Sequence, residues 1–214
     1  MQRWQKMNNN IYPVAQEGWK YIAYAFVAFV VLNLLDLDFL SFFAFLAILF
    51  LAFVYRNPER VVPFFEQNSV VSPVDGVIKN IVELENDEYK YKIEIENRCF
   101  DISLLRIPVD GTSLSAVLTK GARVSSNSKL FNDLNENLEI VFLDKNSNEV
   151  KVNHKSTQSF APIVLNDLSR ISKGYRYGVM IHGITTIYLK ENFRINLKVG
   201  DTISSSQTLI GYYS

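Results

Sequence analysis

The stretch Arg56-Asn57-Pro58-Glu59-Arg60, followed downstream by Ser72-Pro73-Val74-Asp75-Gly76, divides the chain into two unlike parts. Upstream of it the residues form dense apolar runs. Beyond Pro63, apolar and polar residues alternate with a period of two. Apolar residues on every face suit helices in an apolar medium, whereas alternation suits half-buried strands. The predicted fold class is therefore mainly β: a β-sandwich or barrel-like soluble domain behind an N-terminal α-helical membrane hairpin.

Working back from the junction, Tyr21 to Tyr55 holds Asp36 and Asp38 as its only charged residues. A break at Asn33 to Asp38 separates two short apolar helices, about Tyr21–Leu35 and Phe39–Tyr55. At about 1.5 Å per residue the first covers only about 23 Å, short of a hydrocarbon core of about 30 Å. A tight hairpin with local thinning of the bilayer, or a partly re-entrant loop, meets that shortfall. The competing assignment, a buried soluble hairpin, requires more covering surface than the downstream domain offers. A cleaved secretory signal is disfavoured by the length of the apolar stretch.

Arg3, Lys6 and Lys20 precede the hairpin, Arg56 and Arg60 follow it, and only acids lie in its loop. The positive-inside rule then places both ends in the cytoplasm, with the soluble domain against the inner face of the inner membrane. Trp4, Tyr12, Trp19, Tyr21 and Tyr55 suit the two interfacial belts. The expected organisation is a cytoplasmic segment 1–20, a hairpin 21–55 and a β domain 56–214. Arg56 and Arg60 serve either as anchors or as contacts to lipid phosphate.

Composition removes several classes of function. The 22 basic and 22 acidic residues balance, which gives no electrostatic footprint for nucleic acid. One cysteine, Cys99, excludes an internal disulfide and a cysteine-based metal cluster. Two histidines, His154 and His182, are too few for a His-rich metal site, so no metal is expected.

Candidate strands are Val77–Glu85, Tyr91–Glu96, Phe100–Arg106, Leu138–Leu143, Val150–His154, Phe160–Val164, Val179–His182, Thr186–Leu189, Phe193–Leu197 and Thr208–Tyr212. Asp75-Gly76, Asp110-Gly111, Lys173-Gly174 and Gly200-Asp201 punctuate them as turns. Lys129–Asn137 is a weak helix candidate. His154, in a polar alternating strand, is expected to be exposed. Ser156 to Ser159 reads as a polar loop, facing either solvent or headgroups.

Several segments taken in order carry a resemblance. They are Gly18-Trp19-Lys20, Arg56 to Arg60, Ser72 to Gly76, Phe100 to Gly111, Asn135-Glu136, Arg176 to Gly183, and Lys198-Val199-Gly200-Asp201. Over nearly its whole length the chain resembles the short, membrane-anchored form of phosphatidylserine decarboxylase. That resemblance implies a pyruvoyl-dependent enzyme that cuts itself at a Gly-Ser bond, the serine becoming the pyruvoyl end of the new chain. The ketone then takes up the amine of the serine headgroup and acts as electron sink for loss of carbon dioxide. It also implies an Asp, a His and the Ser as the processing residues.

Of these three positions, Asp75 alone keeps the family residue. Ser103 stands where the family has His, in a register held by Phe100, Asp101, Arg106, Pro108 and Gly111. Gly183 matches the glycine before the cut, but Ile184 follows it and has no nucleophile. The segment before Tyr188-Leu189 is also one residue short. Moving the gap offers Thr185 or Thr186 as a hydroxyl, though neither follows a glycine. Asp75 is either a base or the residue that shapes the Asp-Gly turn. His182 is either a substitute base or an ordinary strand-end histidine.

Three functions follow. The first is a degenerate member that does not cut itself and expects no cofactor. It binds a phosphatidylserine-type headgroup, or regulates, as a homo-oligomer or beside an active paralogue. The second is an active decarboxylase processed in an atypical way near Gly183, with its pyruvoyl or related ketoacyl group. The third is other lipid chemistry in the old pocket, for which no metal motif, nucleophile elbow or phosphate loop is present.

Overall fold

The structure, a computed structural model, describes residues 12–85, 88–166, 168 and 171–214. The expectations placed on Arg3, Trp4 and Lys6 lie outside these residues. The chain divides into two compact units, residues Met1–Glu59 and Arg60–Ser214.

The first unit is a helical hairpin of α1 (Gln16–Leu34) and α2 (Asp38–Val54). Helix α1 begins earlier than the apolar run, because Gln16 to Lys20 continue the same helix. Asp36 makes the turn in the left-handed region at φ 56°. The Asn33 side-chain amide donates to Ser41 across it. At the open end, Asn57 donates from its backbone to Pro13 O (2.7 Å) and from its amide to Tyr12 O (2.9 Å). A Cβ on Gly18 would come within 2.5 Å of the Tyr55 ring, so only glycine lets that ring lie against the helix. Tyr21 stacks on Tyr55 from the same side, with centroids 5.7 Å apart. Gly18 and Arg56-Asn57 thus close the base of the hairpin.

Leu34, Phe39 and Tyr24 are among many exposed apolar side chains on the two helices. No described helix is long and apolar enough to cross a membrane. Helix α2, at 17 residues, spans about 26 Å.

The second unit is built from strands β1 (Ser69–Val71), β2 (Gly76–Glu83), β3 (Tyr91–Asn97), β4 (Leu104–Arg106), β5 (Gly111–Thr119), β6 (Asn137–Asp144), β7 (Glu149–Ser156), β8 (Val164–Leu165), β9 (Arg176–Val179), β10 (Gly183–Leu189), β11 (Phe193–Ile195), β12 (Thr202–Ile203) and β13 (Leu209–Tyr213), with a one-turn α3 (Phe131–Leu134). Every strand pairing among the described residues is antiparallel. The main sheet has the order β12-β2-β3-β10-β7-β6-β5, flanked by small sheets β1-β13-β11 and β4-β9-β8. All three are open, and none closes into a barrel. Their inward residues share one core, including Ile78, Ile93, Ile95, Leu105, Phe142, Val152, Tyr177, Ile187 and Ile210.

The alternation rule located the central strands to within a few residues. It missed β5, an edge strand with most side chains exposed, and the very short β1 and β12. Phe100–Arg106 shortens to β4, because Arg98 to Asp101 form a turn closed by Asp101 on Arg98 N (2.9 Å). The strand expected at Val179–His182 instead ends at Val179, and His182 lies in the bend before β10.

Candidate functional site

At one end of the main sheet, residues far apart in sequence converge around Asn97, the last residue of β3. The Asn97 amide donates to Asp75 O (2.8 Å) and Ile102 O (3.4 Å). In the ladder Asn97 stands opposite Gly183. Ser103 O accepts a hydrogen bond from Met180 N (2.8 Å). The turn Ser72 to Gly76 is shaped locally, with Ser72 Oγ donating to Val74 O (2.6 Å). The fold therefore brings together the segments bearing Asp75, Ser103 and Gly183.

The carboxylate of Asp75 is fully engaged. Arg60 grips it with both terminal nitrogens, Nη2 to Oδ2 at 2.7 Å, and Ser205 N donates to Oδ1 at 2.8 Å. Arg60 also donates to Ser205 Oγ (2.9 Å). Both side chains are nearly buried, at 13% and 12% exposure. A paired fork of this kind fixes geometry as well as charge. Asp75 thereby ties the arm that follows Glu59 to the turn at Ser205.

Gly183 opens β10 at a close approach. A Cβ there would lie 2.5 Å from Lys155 O and 2.6 Å from Met180 Sδ. Ile184 follows in unbroken pairing, opposite Glu96 on β3 and Lys155 on β7. Its side chain lies on the outer face of the sheet, in a shallow depression of about 110 Å³ shared with Lys92, Glu94, Asn153, Lys155 and Thr186. Lys92 binds Glu94 at 2.7 Å, and that hydrogen bond raises the Lys92 pKa. Lys155 donates to Asn132 Oδ1 (3.1 Å), and burial lowers its pKa, with the nearby Lys92 charge acting the same way. His182 is half-buried, and its carbonyl accepts from Thr157 N (3.0 Å).

The inner face of the same strand holds an arrangement that the sequence reading missed. Thr185 lies opposite His154, and His154 Nδ1 is 2.8 Å from Thr185 Oγ1. His154 Nε2 meets the Tyr177 hydroxyl at 2.5 Å. All three residues are completely buried. The expectation that His154 is exposed is thus overturned. Burial pushes its pKa down to about 3 and raises that of Tyr177, so His154 is neutral. The signal was present in the alternation. His154 shares parity with buried Val150 and Val152, while its polar neighbours Asn153 and Lys155 belong to the other face.

Asn135 and Glu136 serve the scaffold. The Asn135 amide donates to Val124 O (2.8 Å) and Ser156 O (2.7 Å), and Glu136 accepts from Ile163 N (2.8 Å). Thr157, expected in a polar loop, is buried and donates to Val124 O (2.8 Å).

Fold and site together define a mainly β domain in which Asn97 links an Asp-bearing turn to the central strand that Gly183 opens, while Ser103 is bonded to Met180 just before that strand. The family model for phosphatidylserine decarboxylase matches residues 46–211. The chain belongs to the phosphatidylserine decarboxylase family. It is 30% identical over 213 residues to the phosphatidylserine decarboxylase proenzyme of Geotalea uraniireducens, covering 96% of this chain and 99% of that one. It is similar also to the proenzymes of Geobacter sulfurreducens (29%, covering 96% and 99%) and Desulfotalea psychrophila (27%, covering 93% and 96%). No solved structure matches the chain.

A pyruvoyl group made from the residue after Gly183 does not fit the chain. Ile184 carries no oxygen to attack the preceding carbonyl, and its side chain faces away from Thr185 and His154.

Proposed function

We propose that this chain is a phosphatidylserine decarboxylase-like protein of phospholipid (phosphatidylethanolamine) metabolism that does not cut itself. It is held at the inner membrane by its N-terminal hairpin, with the β domain on the cytoplasmic side. There it binds phosphatidylserine-type headgroups or regulates a competent paralogue. The observation that carries this reading is the Gly183–Ile184 bond: it runs within a ladder paired on both sides and offers no hydroxyl. Asp75, the one retained processing position, is committed to Arg60 and Ser205. The depression at Ile184, with Lys92, Lys155 and Glu94 on its walls, offers cations to the phosphate and carboxylate of a phosphatidylserine-type headgroup and an anion to its amine.

Intact-mass measurement of the purified full chain tests the proposal. It expects one species at 24.6 kDa. Two chains, the smaller bearing a carbonyl that forms a hydrazone, would overturn it.

A second reading, an active decarboxylase with atypical processing, is favoured by one observation, the Thr185–His154–Tyr177 chain of hydrogen bonds. It has the form of a hydroxyl, a base and an orienting group. Cleavage before Thr185 would leave a fragment of 30 residues (214 − 184 = 30) with a 2-oxobutanoyl end. Against it, Thr185 lies midway along a strand paired on both sides, where the sharp turn needed for attack is not available.

A further inference from the structure

In the second unit an apolar recess lies away from Gly183, between the arm leading from Arg60 to β1 and β13, the middle strand of the β1-β13-β11 sheet. It encloses about 420 Å³ and is lined by Phe64, Phe65, Leu209 and Tyr212 together with Glu66 and Ser69. Phe64 is fully exposed, and Val61 on the same arm is largely so. Two apolar side chains standing free on one short arm, beside an aromatic recess of ligand size, mark an interaction surface.

We propose that this groove receives an acyl chain of a bilayer phospholipid, with the arm's aromatic side chains entering the membrane surface. The inference rests on the membrane reading above and adds to it a second, separate point of lipid contact. Three observations select this occupant. Lys173 donates to Ser69 Oγ (2.8 Å) and to Glu66 O (3.2 Å), so an ammonium stands at the groove's rim, where a lipid phosphate would lie. Arg194, exposed on β11, pairs in register with Tyr212 and adds a second cation. Phe64 follows the last residue of α2, Val54, by ten residues, which span at most about 36 Å. The covalent chain therefore keeps Phe64 within about one bilayer thickness of the hairpin. A second copy of the chain is a poorer occupant. A stable interface needs about 20–30 residues a side, far more than four apolar lining residues supply.

The test places the photoreactive p-benzoylphenylalanine at Phe64 in the full chain, and in a separate control at Leu114, an exposed residue of the edge strand β5. The chains are mixed with vesicles of phosphatidylethanolamine and phosphatidylglycerol carrying alkyne-tagged acyl chains, floated, and irradiated. Because Phe64 is fully exposed, its replacement leaves the packing intact. The proposal expects tagged-lipid adducts at 64 at least tenfold above those at 114. Flotation with equal labelling at the two positions overturns the groove and leaves the hairpin's membrane role standing. Adducts at 64 joining two copies of the chain overturn it in favour of an oligomer contact. Failure of the unsubstituted chain to float overturns the membrane reading, and the groove proposal with it.

Discussion

His154 and Thr185 face each other across the β7–β10 ladder, Nδ1 2.8 Å from Oγ1, where water reaches neither. Tyr177 closes the other end of the imidazole, so both ring nitrogens have partners inside the core. A buried neutral histidine satisfied on both sides is a stable arrangement, but one that opposes protonation.

The first prediction concerns pH. The His154 pKa falls from about 6.5 unfolded to about 3 folded. Its contribution to stability is therefore complete above pH 6.5 and is lost as pH falls from there towards 3. Within that window the loss from this group approaches about 1.4 kcal/mol per pH unit. Urea melts at pH 7, 6 and 5 check this by comparing the chain with its His154→Gln variant. The difference in slope between them should have this sign and size. Parallel curves would show that His154 does not carry the dependence.

The second concerns the fork between Arg60 and Asp75. Removing either partner leaves a nearly buried charge uncompensated, and Arg60→Met or Asp75→Leu alone should cost about 2–4 kcal/mol. The double variant should cost less than the sum of the two, with a coupling of about 1–3 kcal/mol. Chemical denaturation of the four chains of the cycle measures it. Additive losses would mean that the two groups do not act on each other.

Gly183 supplies the third. In Gly183→Ala the added methyl meets the Lys155 carbonyl, which is backbone and cannot swing aside. Destabilisation of about 1–3 kcal/mol is expected. Gly200→Ala, with no atom near its added carbon but a left-handed backbone at φ 94°, should cost about 1 kcal/mol. If the two losses proved equal, the close approach at Gly183 would not be the reason for its glycine.

The fourth asks whether a hydroxyl directly after Gly183 is enough for self-cleavage. Ile184→Ser rebuilds a Gly-Ser bond, but the side chain at 184 faces the outer depression and Ser103 supplies no imidazole. The variant should remain a single chain by intact mass. Its cleavage would show that Asp75 and the fold retain processing power without the histidine.

Much of the fold was legible because a strand's side chains alternate strictly. Val77–Glu85, Tyr91–Glu96 and Leu138–Leu143 announce β2, β3 and β6 almost to the residue. The edge strand β5 was not legible, because Gly111–Thr119 is largely exposed and carries no inward stripe. At the candidate site, the sequence singled out Asp75, Ser103 and Gly183 but gave no hint of what holds them. Arg60 and Ser205 reach Asp75 across separations of 15 and 130 residues, which no local pattern encodes.

By itself the sequence determined the family, the mainly β class and the absence of a hydroxyl from the residue after Gly183, because side-chain chemistry and periodicity are local properties. Only the tertiary structure decided that Asp75 is held by Arg60, that His154 is buried between Thr185 and Tyr177, and that Ile184 faces outward. Each of these depends on which strands pair and in what register. That is settled when distant apolar faces share one core, not along any single stretch of chain.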